Sequence, residues 1–252
     1  MVKEILIFGD GGLMAGHAAR EWAAIAARAA GDRGRFTAAL SGGKTPVGLY
    51  GKLSGIKDLP WDKTHIFIVD ERFVPFEHEA SNYGMIERTL LRHTAIPREN
   101  IHPVPTAVDT PREAARRYEE ELVSFFGLPH PPAGRMPRFD LILLGLGADG
   151  HTASLFPGAP ALEETSRLAA AVSPSGPAEN ERITLTFPVI NNAENVMILA
   201  AGDNKAAAAR DVITEKSSPL PAAMVRPEQG RLVFLLDRRA ASLLSCPCRP
   251  RR

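Results

Sequence analysis

The feature that most constrains this chain is a set of short runs in which almost every residue is apolar. Leu141-Ile142-Leu143-Leu144 and Val233-Phe234-Leu235-Leu236 are the clearest. A strand with one wet face alternates apolar and polar residues. A continuous apolar run has to be covered on both faces, which places it inside a parallel sheet. Strands are predicted over 36–40, 65–69, 139–144, 182–187, 195–201 and 232–236. Helical patterns fill the gaps. One spans 14–30, with Trp22, Ile25 and Ala26 on one face and Arg20 and Arg28 elsewhere. Another opens at Thr110-Pro111-Arg112-Glu113, with a capping hydroxyl, a proline at the first helical position and an acid at the third, and runs to about 126. Segments 80–92 and 204–214 complete the set. Strand and helix in alternation predict a doubly wound α/β fold, whose ligands bind outside the carboxyl ends of the strands.

Composition narrows the partners. The 252 residues carry a formal net charge of +1, without the basic surplus of a nucleic-acid binder. An anionic ligand would have to be held by local groups rather than by the field of the whole molecule. The apolar run from Met1 to Phe8 is too short for a signal peptide and ends at Gly9-Asp10-Gly11-Gly12. No stretch approaches the ~20 apolar residues of a membrane span. Cys246 and Cys248 are the 2 cysteines, both in a Pro/Arg-rich tail. They cannot staple a fold, and two ligands do not complete a structural metal site. The expectation is a cytoplasmic monomer that needs neither metal nor cofactor. One α/β domain would span 1–245, followed by a tail over 246–252.

Three predicted strands end in loops with unusual chemistry. Ser41-Gly42-Gly43-Lys44-Thr45-Pro46 follows the first. Its glycines can turn N–H groups inward and Pro46 can open a helix, so the loop is either a phosphate cradle or an ordinary strand-to-helix turn. It is not a Walker A loop, because Ala38 stands where that motif needs glycine. Asp70-Glu71-Arg72 follows Ile66-Phe67-Ile68-Val69, and is either a charged pocket mouth or a solvated strand end. Gly145-Leu146-Gly147-Ala148-Asp149-Gly150-His151-Thr152 holds a literal G-x-G-x-x-G. A dinucleotide fingerprint is rejected there: the motif lies mid-chain, and His151 follows its last glycine where a small helix-packing residue belongs. The glycines can instead bring His151 to a cleft as a general base, with an ordinary pKa of ~6.5 and a helix N-terminus near Thr152 to keep it neutral. Asp149 would either cap that helix or orient the imidazole. Arg182 and Lys205 are phosphate ligands or plain surface cations.

Taken together, these loops resemble the 6-phosphogluconolactonase family. Val69 to Pro75, Ser81-Asn82-Tyr83, Ala153 to Gly158, Arg182 to Thr186, Gly202 to Ala206 and Pro221-Ala222-Ala223 join the resemblance, which covers about 5 to 244. It implies a Rossmann-like α/β fold shared with glucosamine-6-phosphate deaminases. It also implies hydrolysis of a sugar-phosphate lactone in the pentose phosphate pathway. His151 would be the general base, Arg72 would contact substrate and Asp70 would organise the pocket. Ser41, Gly42, Gly43, Thr45 and Lys205 would hold the phosphate, with Arg182 as a further site arginine. The family's loop often has serine where this chain has Lys44, which either adds a phosphate contact or points to solvent. Deaminases continue after the matching histidine to Phe-Asn-Glu-Pro-Gly. This chain reads Leu155-Phe156-Pro157-Gly158, without the Asn-Glu pair. A non-catalytic sugar-phosphate sensor on the same fold is the remaining alternative.

Overall fold

The computed structural model describes residues 2–129, 134–173, 180–215 and 217–244. In chain order the elements are β1 (Val2–Phe8), α1 (Gly11–Arg33), β2 (Phe36–Leu40), α2 (Val47–Leu53), β3 (Thr64–Ile68), β4 (Asp70–Arg72), α3 (Asn82–Thr89), β5 (Ile101–His102), α4 (Pro111–Phe126), β6 (Leu141–Gly145), β7 (Ala169–Val172), β8 (Arg182–Leu185), α5 (Phe187–Ile190), β9 (Asn195–Ala200), α6 (Ala206–Thr214) and β10 (Arg231–Asp237). Seven strands form one sheet in the order β1-β10-β9-β6-β2-β3-β5, and every pair in it is parallel.

The apolar runs take the interior places, as two-faced burial requires. Every residue of β2 and β9 is buried. Helix α1 covers the sheet with Trp22, Ile25 and Ala26, each no more than 6% exposed, and Trp22 meets Phe36 edge to face at 5.2 Å. Helix α4 begins as its capping residues dictate: Thr110 Oγ1 accepts the Glu113 N–H at 3.2 Å and Pro111 sits in the first turn.

The strand order positions the site. From β2 the chain builds outward through β3 to β5, whereas from β6 it builds the other way through β9 to β10. The direction reverses between β2 and β6, and a crevice opens at their carboxyl ends.

Several elements differ from the sequence reading. The segment starting at Arg182 is a strand, but it lies outside the parallel sheet. It pairs antiparallel with β4 and β7 in a second, three-stranded sheet. Val69 is the junction: its N–H bonds Leu40 O at 2.9 Å in the large sheet, and its carbonyl accepts from Leu185 N at 2.8 Å in the small one. Residues 2–8, read only as a short apolar run, form the edge strand β1. Helix α3 stops at Thr89 and is followed by a 3₁₀ turn at Leu91–His93. Another 3₁₀ turn, Asp203–Lys205, precedes α6. Pro46 sits one place before α2 rather than at its first helical position. No helix starts at Thr152, which pairs with Leu155 in an isolated bridge. Cys246 and Cys248 lie outside the described residues.

A histidine pair closes the β5 edge. His102 Nδ1 lies 2.7 Å from Glu121 Oε1, and His102 Nε2 lies 3.2 Å from His65 Nδ1. Glu121 can only accept, so His102 Nε2 is left to accept the proton of His65 Nδ1. Burial first, then the proximity of His102 and Arg35, pushes the His65 pKa down to about 4. Burial also lowers that of His102, against the opposing pull of Glu121. Both rings therefore bind protons less readily in the folded chain than in the unfolded one. Their stabilising effect is present above the ordinary value of ~6.5 and is lost as pH falls from there toward 4. The urea midpoint is expected to drop between pH 7 and pH 5, and His65→Phe should make that drop shallower.

Candidate active site

The crevice at the β2–β6 switch point is an open cleft of about 180 Å³. The loop after β2 contributes Ser41, Gly42, Gly43, Lys44 and Thr45 to its lining. Strand β4 contributes Asp70 and Arg72, the loop after β6 contributes Gly147 and His151, β8 contributes Arg182, and the turn before α6 contributes Lys205. Every candidate site residue named from the sequence therefore lies at one place. Asn82, Leu146 and Ala153 also line the cleft and were not singled out as site residues.

The turn after β2 is held from below. Tyr50, fully buried, donates its hydroxyl to Ser41 O at 2.6 Å, which fixes where the Ser41 side chain starts. Burial, and then the Asp70 carboxylate, keep that phenol well above its ordinary pKa, so it remains a donor. Gly42 is required by close approach: a Cβ there would lie 1.8 Å from Asn82 Oδ1 and 2.9 Å from Asn82 Cβ. Ser41 Oγ is buried and has no hydrogen-bond partner among the described residues. A buried hydroxyl without a partner is costly unless a ligand completes it.

The charged strand end is more ordered than a solvated tip. Asp70 Oδ2 accepts from Ser154 Oγ at 2.7 Å, both residues being buried, and Asp70 O accepts from Asn82 Nδ2 at 2.7 Å. Glu71 is completely buried and points away from the cleft. Its Oε1 accepts from Arg72 N (2.8 Å) and Asn82 N (2.7 Å), and its Oε2 from Tyr83 N (2.7 Å) and Ser81 Oγ (3.1 Å). Burial raises its pKa, and those four bonds counteract part of the rise. Sequence reasoning gave Glu71 no separate role. A carboxylate beside an apolar strand signals some buried partner, but the partner loop is ten residues away.

Arg72 and Arg182 stand directly opposite each other in the β4–β8 ladder. Like charges across a strand pair repel, and an anion between them removes the penalty. Arg72 Nη1 donates to Ala80 O at 2.5 Å, while its Nε is buried without a hydrogen-bond partner among the described residues. The guanidinium of Arg182 lies over the Phe156 ring at 5.2 Å. Lys205 is placed by the next strand over: Asp237, ending β10, accepts from Gly202 N at 3.1 and 3.2 Å and from Ala240 N at 2.7 Å. Lys44 is exposed at the cleft margin.

His151 projects into the cleft with its side chain 31% exposed. No helix N-terminus faces it, since none begins at Thr152. Its Nδ1 lies 2.6 Å from Asp149 Oδ1, which also accepts the His151 backbone N–H at 3.2 Å. Burial works to raise the Asp149 pKa, but the bonds from His151 outweigh it and hold the carboxyl below its usual range. An ionised Asp149 fixes the proton on Nδ1 and leaves Nε2 as the basic atom. Of the two roles considered for Asp149, the structure supports orientation of the imidazole. Gly147 makes room for the pair, since a Cβ there would lie 2.2 Å from His151 Nδ1.

Among the described residues no group of three or more His, Cys, Asp or Glu side chains is placed to hold a metal ion. Among them too, no helix is long and apolar enough to cross a membrane.

Fold and cleft together define a class: a doubly wound α/β protein with a cation-lined crevice and a His–Asp pair at its switch point. The family model described as glucosamine-6-phosphate isomerases/6-phosphogluconolactonase matches residues 10–234, and the chain belongs to that family. A 6-phosphogluconolactonase from Synechocystis is 45% identical over 219 residues, which cover 86% of this chain and 88% of that protein. The structure of 6-phosphogluconolactonase from Trypanosoma cruzi superposes with a TM-score of 0.85 at 30% identity, covering 98% of this chain and 99% of that one. A monomeric glucosamine-6-phosphate deaminase superposes with a TM-score of 0.79 at 20% identity over 96% of this chain and 100% of that one, a likeness of fold alone.

Glu71→Gln is expected to destabilise the chain by ~2–4 kcal/mol, because an amide NH₂ would then face donors that need an acceptor. Urea denaturation monitored by circular dichroism measures it.

Proposed function

We propose that this chain hydrolyses 6-phospho-D-glucono-1,5-lactone to 6-phospho-D-gluconate, the lactone-opening step of the oxidative pentose phosphate pathway. One observation carries the reading: a His–Asp pair shares its cleft with buried donors, Ser41 Oγ and Arg72 Nε, that no group among the described residues satisfies. A phosphate at the Ser41 turn and Lys205 would fix the distance from C6 to the lactone carbonyl at the other end of the cleft.

The chemistry follows from the geometry. His151 Nε2 takes a proton from water as the water oxygen adds to C1. The resulting oxyanion needs donors. Two candidates in the glycine-rich loop are already engaged, since Gly147 N donates to His151 O at 2.8 Å and Gly150 N to Gly147 O at 3.1 Å. Arg72, with Arg182 beside it, lines the cleft as a stabiliser. When the C1–O5 bond breaks, the imidazolium returns its proton to the ring oxygen. Asp149 holds the ring and balances its charge through the cycle. Asp70, with one oxygen committed to Ser154, has the other to accept a sugar hydroxyl.

A deaminase reading fits less well. Aldose–ketose isomerisation needs further acid and base groups. Among the described residues lining the cleft, His151 is the single imidazole and Asp70 the single carboxylate. A sensor would have no use for an oriented base. The balanced charge suits a small anionic substrate, and we place the enzyme in the cytoplasm as a monomer that requires no metal or cofactor.

Freshly generated lactone, with acid release followed at constant pH, tests the proposal. His151→Ala should lower kcat by ~10²–10⁴-fold. Near-normal turnover by that variant would overturn the assignment. Ser41→Ala should raise KM by ~10-fold or more with a smaller effect on kcat, since the lost bond is to a charged phosphate.

A further inference from the structure

His151 and Phe156 are five apart in sequence but neighbours in space, and a tight turn is the reason. Leu155 N donates to Thr152 O at 2.9 Å, and the two residues pair as an antiparallel bridge. Ala153, inside the turn, takes a φ of 52°, a conformation that non-glycine residues seldom adopt. Thr152 and Leu155 are fully buried. His151 and Phe156 are the next residues out along the two arms and face the other way, as alternation requires. Their rings lie 4.7 Å apart, tilted by 49°. Arg182, arriving from β8, stands over the same Phe156 ring at 5.2 Å. One aromatic ring therefore contacts both the imidazole and an arginine of the cleft.

We propose that Phe156 is a positioning residue for the lactone chemistry: its ring holds His151 and Arg182 in the cleft and stabilises the imidazolium that forms when His151 takes a proton from water. The proposal rests on the reading of His151 as general base. The face of an aromatic ring carries negative partial charge and attracts cations, more strongly where water is excluded. The charges around His151 show why such a group is useful. Lys44 from the β2 loop, Arg72 from β4, Arg182 from β8 and Lys205 before α6 all face the cleft and disfavour a further positive charge. Asp149 on the histidine's own loop favours it through its 2.6 Å contact with Nδ1, but its side chain is 51% exposed and exposed pairs contribute modestly. Asp70, the remaining carboxylate, is already bonded to Ser154. A second free carboxylate would support the imidazolium at the cost of repelling an anionic substrate. An aromatic ring supports it without a formal negative charge. Contact with the ring also uses none of the in-plane N–H donors with which Arg182 can meet an anion.

The test compares two variants that remove the ring, Phe156→Leu and Phe156→Met, with two that keep it, Phe156→Tyr and Phe156→Trp, in the full chain. The first pair should lower kcat about 3- to 30-fold, the range of a single cation–ring contact, with KM changing less. In the same pair the acidic limb of the kcat/KM profile should move to lower pH, because protonated His151 loses support. The ring-keeping pair should retain the wild-type limb and most of kcat. A second readout is the His151 ring titration followed by NMR in wild type and Phe156→Met, which needs no turnover. A lower midpoint in Phe156→Met supports the proposal even if the wild type proves inactive on the lactone, so failure of the enzymatic reading remains distinguishable. An unchanged midpoint, or Phe156→Trp behaving as Phe156→Leu, would overturn it. Phe156→Met keeps most of the side-chain volume, so the comparison stands if Phe156→Leu does not fold.

Discussion

The buried Glu71 carboxylate is the tie on which the rest of the cleft depends. Three backbone N–H groups and one hydroxyl converge on it, from its own strand and from the start of α3. An ionisable group with no exposed surface is tolerated only when such donors replace water. The arrangement locks residues 81–83 against β4. Asn82 is then held where it can bond Asp70 O and leave room for a turn only if residue 42 is glycine. The turn after β2, the strand end and the α3 cap are thus one coupled unit, and a change at any of them is felt at the others.

A second constraint is local charge. The chain is close to neutral overall, yet Lys44, Arg72, Arg182 and Lys205 face one crevice with Asp70 as the carboxylate among its lining residues. Four different elements deliver those cations. No helix N-terminus supplies the field around His151. A carboxylate two residues away in the same loop does, and an aromatic ring beside it adds to the effect.

Much of this was legible in the linear order of residues. Continuous apolar runs marked the interior strands because burial on two faces leaves no room for alternation. Thr110-Pro111-Arg112-Glu113 marked a helix start because capping is a local interaction. The loops after β2 and β6 were recognisable because glycine, hydroxyl and charge crowd together at strand ends. The short strands β4, β5 and β7 escaped notice: two to four residues carry too little periodicity to read. The segment at Arg182 was read as a strand, but its antiparallel partner in a second sheet had no local signature.

The sequence by itself determined the class of fold, the strand-end positions of the candidate site residues and the identity of His151 as the group to watch. Those depend on patterns within about ten residues. Only the tertiary structure decided that Arg72 opposes Arg182, that Asp237 anchors the Lys205 turn, that Asp149 orients the imidazole and that Phe156 lies beneath two cleft residues at once. Hydrogen bonds and ring contacts of this kind join residues from two to more than a hundred positions apart. For the pairs far apart in sequence, formation depends on where packing of the apolar core brings the strand ends, and no short stretch of chain contains that information.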